Sequence, residues 1–301
     1  REDILELQGS LGMTNQQLDG EWNDYMDDYI LAFNNSRQDT YKELNECYKD
    51  LKDYDEQIRV LDEWYDYNPD NSTVFKEKKT AYINLGKNPI DVDKDRWKKD
   101  PSNIKFGLNY INKLKEDSES QKVIEVCLNL MDYNQNNIAV LENLAAAYLD
   151  IYEQEKALNI YNKLISLTNE NIAYFIEISK IYIDLGEYSK AIDFSNKSLS
   201  TQSAEGYYNR AQVYIGIAES CADFEGLSMS DRSVYEMAWE DLNKAIEKGN
   251  RGAKKQANFL KKNYITQNKD WFLNVEEGKN RYAPSDECYN MINRTIIKRE
   301  F

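Results

Sequence analysis

Apolar residues in this chain recur at three- and four-residue steps, the spacing of one helix face, and the runs are separated by short polar turns. The clearest stretch is 138–203. Leu141, Leu144, Ala145 and Tyr148 share one face. After a turn near Tyr152, Ala157, Leu158, Tyr161, Leu164 and Ile165 share another. The pattern then returns with Phe175, Ile178, Ser179 and Tyr182, a turn at Gly186, and Tyr188, Ala191, Phe194 and Leu199. Gly186 suits the left-handed position that closes a helix. Ala157 and Ala191 lie 34 residues apart and are small enough for two helices to approach closely.

A tyrosine marks the register. Tyr48, Tyr82, Tyr148, Tyr182 and Tyr214 follow one another at intervals of 34, 66, 34 and 32, and Leu114 divides the long interval into 32 and 34. Such a period predicts stacked helix hairpins rather than one globular core. The predicted units are 38–70, 71–103, 104–137, 138–171, 172–203 and 204–249. The first carries Tyr41, Leu44, Tyr48, Leu51, Tyr54, Ile58, Leu61 and Trp64, with Pro69 past the helix end. In the second, Asn88-Pro89 and the run DVDKD at 91–95 predict a shortened or irregular second helix. The sixth contains an insert, 216–232, expected as a lengthened turn before a helix at Val234–Lys248 capped by Ser230 or Asp231. Residues 1–37 form a lead-in with a helix at 18–33. Residues 250–266 form a capping helix with a lysine-rich outer side. In the tail, 267–301, the run CYNMINRTIIKREF predicts one or two short strands.

LGEYSKAI at 185–192, and more loosely AAAYLDIYEQEKAL at 145–158, resemble the turn and second helix of the tetratricopeptide repeat (TPR) family. The resemblance covers Gln38 to Gly249 and gains its specificity from recurrence in register. It implies an all-α, right-handed superhelical solenoid of about six hairpins, a non-catalytic scaffold that binds a protein or peptide. In TPR arrays the first helices line the concave face. Transferred here, that geometry points to Asn109, Asn112, Glu142, Asn143, Ala146, Ile176, Glu177, Lys180, Tyr208, Asn209 and Gln212. The Lys, Arg and Asn set with which some TPR proteins clamp a C-terminal carboxylate is incomplete. The segment DWFLNVEEGKNRYAPSDECYNMINRTIIKR resembles the tail of exported bacterial TPR proteins with a lengthened last repeat. That implies a tail folded over the insert, pinned by a disulfide between Cys221 and Cys288. It also implies an exported or periplasmic location, with a cytoplasmic one as the alternative. An alternative role is a structural part of a cell-envelope assembly, docked through insert and tail. The sequence begins at Arg1, so an upstream segment such as a signal peptide is expected.

Charge narrows the partners. The net charge of −15 repels polyanions, so nucleic acid and anionic membrane surfaces are disfavoured and a basic peptide or protein is favoured. No apolar run is long enough to cross a bilayer. Histidine is absent, which excludes His-based triads, Cys–His dyads and His-containing zinc sites. No CxxC, GxGxxG, Walker A or GxSxG motif occurs, so no enzyme, cofactor or metal is expected. Asp91, Asp93 and Asp95 alternate like the start of a calcium loop, but Arg96 and Ser102 stand where Gly and Glu are required. A solvated loop is the expectation there. Cys47 and Cys127 fall on apolar faces and are expected to be buried thiols.

Overall fold

The computed structural model describes residues 35–169, 171–223 and 226–300. The expected lead-in helix at 18–33 lies outside them. The chain forms two compact units, 1–113 and 114–301.

Unit one contains α1 (35–51), α2 (Tyr54–Tyr67), α3 (Ser72–Asn84), α4 (Ile90–Lys99) and α5 (Ile104–Glu116), whose last residues open unit two. Its buried cluster joins Leu61, Trp64, Tyr65 and Val74, flanked by Tyr41, Tyr67 and Phe75. The second helix of the second hairpin, α4, is short, as expected, at 10 residues against 14 in α2, but DVDKD is regular helix within it and not a solvated loop, with Asp93 buried against Lys79 Nζ at 2.7 Å. A helical backbone cannot wrap an ion as a calcium loop does. On α1 the buried position is Asn45, whose Oδ1 accepts from Gln57 Nε2 at 2.9 Å, whereas Leu51 is exposed. Cys47 is exposed too, against expectation, because α1 turns the polar Asn45 inward.

Unit two continues with α6 (Ser120–Tyr133), α7 (Ile138–Asp150), α8 (Gln154–Leu167), α9 (Ile172–Asp184), α10 (Tyr188–Lys197), α11 (Ala204–Cys221) and α12 (Met229–Glu247). A 3-10 turn at Arg251–Ala253 leads to α13 (Lys254–Asn263) and α14 (Asn268–Asn274). The tail closes with β1 (Arg281–Tyr282) antiparallel to β2 (Ile296–Ile297), Arg281 opposite Ile297. The fold is all-α hairpins with a two-stranded tail.

The recurring tyrosine has a backbone cause. Lys52, Gly86, Ser118, Tyr152 and Gly186 all have positive φ, between 57° and 72°, and each closes the first helix of a hairpin. The next amide then donates back to the residue four before the turn. Asp53, Lys87, Glu119, Glu153 and Glu187 thus donate to the carbonyls of Tyr48, Tyr82, Leu114, Tyr148 and Tyr182, at 2.8–3.0 Å. This is the Schellman closure, which satisfies a helix-end carbonyl in each of the first five units; in the sixth, Tyr214 lies inside α11. The opposite ends are equally periodic. Asn71, Asn103, Asn137 and Asn171 accept backbone N–H bonds at the first-helix starts, and Ser203 does so in the sixth unit. Ala157 and Ala191 are fully buried between their paired helices.

The insert differs from expectation. Residues 216–221 extend α11 and 229–232 open α12, so only a short connection remains. Extension buries Ile217 and Met229, which a solvated turn would leave in water. The cap is Ser228, in a capping box with Asp231, rather than Ser230 or Asp231. Ser230 is buried and within 3.0 Å of the Tyr282 hydroxyl.

The tail packs along α12. Trp271, Tyr289, Ile292 and Ile296 join one cluster with Tyr235, Met237, Ala238 and Leu242. Cys221 and Cys288 are disulfide-bonded. Asp231, Glu236 and Asp241 on α12 are buried carboxylates. Asp231 accepts from the Tyr289 hydroxyl, Glu236 from Arg299 Nε at 2.6 Å, and Asp241 from Arg210 and Arg294. Buried charge is costly unless paired, and these partners provide the pairing.

Candidate protein-binding face

In unit two the first helices of successive hairpins are joined by side chains. Lys115 Nζ donates to Asn143 Oδ1 at 2.8 Å, from α5 to α7. The Tyr174 hydroxyl donates to Glu142 Oε1 at 2.7 Å, from α9 to α7. Asn209 Nδ2 on α11 donates to Ser179 Oγ on α9 at 2.9 Å. Gln212 on α11 and Gln256 on α13 exchange amide bonds at 3.0 and 3.1 Å. These bonds link Lys115, at the end of α5, to α7, then α7 to α9, α9 to α11 and α11 to α13. The hairpin repeat is what brings the partners together, since three of the four pairs are 28–32 residues apart.

The sequence-selected residues distribute unevenly over this row. Glu142 and Lys180 are exposed, and Asn143, Ala146, Ile176, Glu177 and Tyr208 are half-buried. Lys180 Nζ pairs with Glu177 at 2.7 Å on the same helix. Asn143 also donates to the Ala139 carbonyl at 2.8 Å, which fixes its amide orientation. Asn109 and Asn112 are exposed on α5, in unit one. Asn209 is a correction: only 3% exposed and bonded to Ser179, it holds α11 to α9 and presents nothing outward. Gly206, one turn earlier, is the reason. A Cβ there would come within 2.3 Å of the Ser198 carbonyl oxygen, so α11 starts in closer contact with the end of α10 than any other residue would allow. That approach draws Asn209 under the surface.

Lys115, Tyr174, Ser179 and Gln256 are not among the sequence-selected residues, yet they hold the row together. A polar residue one period before or after each selected position is the available signal.

Burial pushes the phenols of Tyr161 and Tyr235 up to about 12 and the Cys127 thiol up to about 12. None of the three stands on the row's outer side, and no cluster of three metal-ligating side chains occurs among the described residues. No helix of the described residues is long and apolar enough to cross a membrane.

No protein-family model matches the chain, and no curated protein matches it. Among solved structures, it is similar to a tetratricopeptide repeat protein from Parabacteroides merdae ATCC 43184, at 18% identity over 75% of this chain and 100% of the other, TM-score 0.43. It is also similar to the MamA protein, at 17% identity over 72% and 94%, TM-score 0.34. TTC0263, a thermophilic TPR protein of Thermus thermophilus, follows at 13% over 74% and 98%, TM-score 0.38.

Proposed function

We propose that the chain is a non-catalytic protein-interaction scaffold that holds an extended peptide or protein segment against the first helices α7, α9 and α11. One observation carries the reading. The four cross-helix bonds link the first helices in a row, and residues outside those bonds, Ile176 and the Glu177–Lys180 pair on α9 and Tyr208 on α11, offer mixed apolar and polar contacts. Repeat proteins bind through such extended surfaces. The absence of histidine and the internal pairing of the buried carboxylates support a role without chemistry. The net charge of −15 favours a basic guest.

The test is selection of peptides from a displayed random library on the intact chain, followed by titration of the selected peptides. Ile176→Ala with Tyr208→Ala is expected to weaken them at least ~10-fold while helical circular dichroism is kept. Leu128→Ala, on the exposed side of α6, is expected to change nothing. Equal affinity in all three proteins would end the reading. The second role, docking of the array into an envelope assembly through insert and tail, has less support, since both ends of the insert are built into α11 and α12 and Arg294 and Arg299 turn inward onto α12.

A further inference from the structure

Charge is distributed unevenly in this acidic chain. From Lys248 to Lys269 there are seven cations, six lysines and Arg251, and no carboxylate. All seven side chains are exposed. None of them forms an ion pair among the described residues, whereas Arg210, Arg294 and Arg299 in the same unit are all paired with carboxylates. The same two helices carry exposed apolar side chains. On α14 Trp271 turns inward, 2% exposed, while Phe272 and Leu273 are 86% and 74% exposed. Phe259 on α13 is 56% exposed.

We propose that α13 and α14 form a docking surface for an anionic membrane, with the lysines at the lipid headgroups and Phe272 and Leu273 entering the interface. Cations near a membrane surface are attracted by anionic lipid, and the attraction acts within a Debye length of about 8 Å. The acidic residues elsewhere in the chain are screened at that range, so the net charge does not decide the matter. Lysine dominates the run, and its ammonium is a point charge suited to a diffuse headgroup layer rather than to one shaped anion site. Phe272 and Leu273 protrude instead of lining a groove, which suits partition into a soft phase. The neighbouring carboxylates are mostly engaged. Asp270 accepts from the Gln267 amide at 2.7 Å and faces Arg232, and Glu276 pairs with Lys279 at 2.6 Å, leaving Glu247 and Glu277 exposed at the two ends of the patch. None of the residues proposed to bind a guest peptide takes part.

The experiment is co-sedimentation of the intact chain with phosphatidylcholine vesicles, with and without about 30% phosphatidylglycerol. The expected result is binding to the anionic vesicles alone, lost at about 0.5 M salt. Phe272→Ser with Leu273→Ser should lower the partition at least ~10-fold. Lys254→Gln, Lys255→Gln, Lys262→Gln and Lys269→Gln together should do the same. Both variants leave Trp271 and the buried cluster intact, so helical circular dichroism should not change. Absence of wild-type binding to anionic vesicles, or binding by both variants that is unchanged from the wild type, would overturn the proposal. So would self-association that the Phe272→Ser, Leu273→Ser protein loses in the absence of lipid, which would assign the patch to a second copy.

Discussion

Arg294 in the tail donates from Nη1 to Asp241 Oδ2 on α12 at 2.9 Å, across 53 residues of sequence. The carboxylate has no exposed side-chain surface, and its second partner is Arg210 on α11, at 2.7 and 2.9 Å. Arg294 also reaches Glu240 at 2.7 Å. The tail therefore completes a charge network that the hairpins alone leave short of one cation. Arg294→Ala should cost about 3 kcal/mol, because a buried carboxylate loses a partner. Chemical denaturation measures this, and Asp241→Asn in the same background should recover part of the loss. A loss below about 1 kcal/mol, typical of exposed pairs, would contradict the assignment.

Tyr152 occupies a left-handed turn position, φ 62°, where Gly186 stands one period later. Its side chain is 85% exposed and packs against little. Tyr152→Gly should therefore stabilise unit two by about 1 kcal/mol, by removing the strain of a side chain at positive φ. Thermal melting would show a rise of a few degrees. A fall would mean that Tyr152 makes contacts the fold does not show.

Thiol counting tests the cysteines. Without reductant, the native protein should react rapidly at Cys47 alone, since Cys127 is buried and its thiol is pushed up to about 12. Denaturant should expose Cys127, and reduction should release Cys221 and Cys288. The bridge spans 67 positions, so Cys221→Ser should cost about 2–4 kcal/mol. Four reactive thiols in unreduced, denatured protein would show that the bridge is not formed.

The phenols of Tyr161 and Tyr235 are held up to about 12 by burial, against about 10 in an unfolded chain. The Tyr289 phenol moves in the same direction, through burial and its bond to Asp231. The native state keeps these protons where the unfolded state releases them. Stability is thus fully present below about pH 10 and is lost as pH rises toward about 12. Melting temperatures from about pH 9 to about pH 12 should fall steeply, and Tyr161→Phe should flatten the slope. An unchanged slope in that variant would remove Tyr161 from the account.

The hairpins are legible because their signals are local and repeat. Tyr148 and Tyr182 face inward one period apart, Asn137 and Asn171 cap, and Gly186 closes a helix, each read from a few adjacent residues. What escapes depends on contacts between distant elements. Residues 216–232 look like a turn by composition, yet 216–221 and 229–232 are helix, with Ile217 and Met229 buried in the cluster that holds the tail. Asn209 looks like a groove residue by register, but Gly206 lets α11 sink and covers it. Lys52 and Ser118 close turns that glycine would have announced, while the turn at Tyr152 is legible from the register alone. Cys47 looks apolar by spacing, while Asn45 and Gln57 claim the inward face of α1. The exposed pair Phe272 and Leu273 lies beside the buried Trp271, and sequence alone does not separate the three.

The most direct test of the scaffold account is hydrogen exchange of the intact chain with and without a library-selected peptide. The account predicts slowed exchange along α7, α9 and α11, around Glu142, Ile176 and Tyr208, with α8 and α10 unchanged. Slowing confined to α8 and α10, or to the tail alone, would contradict it.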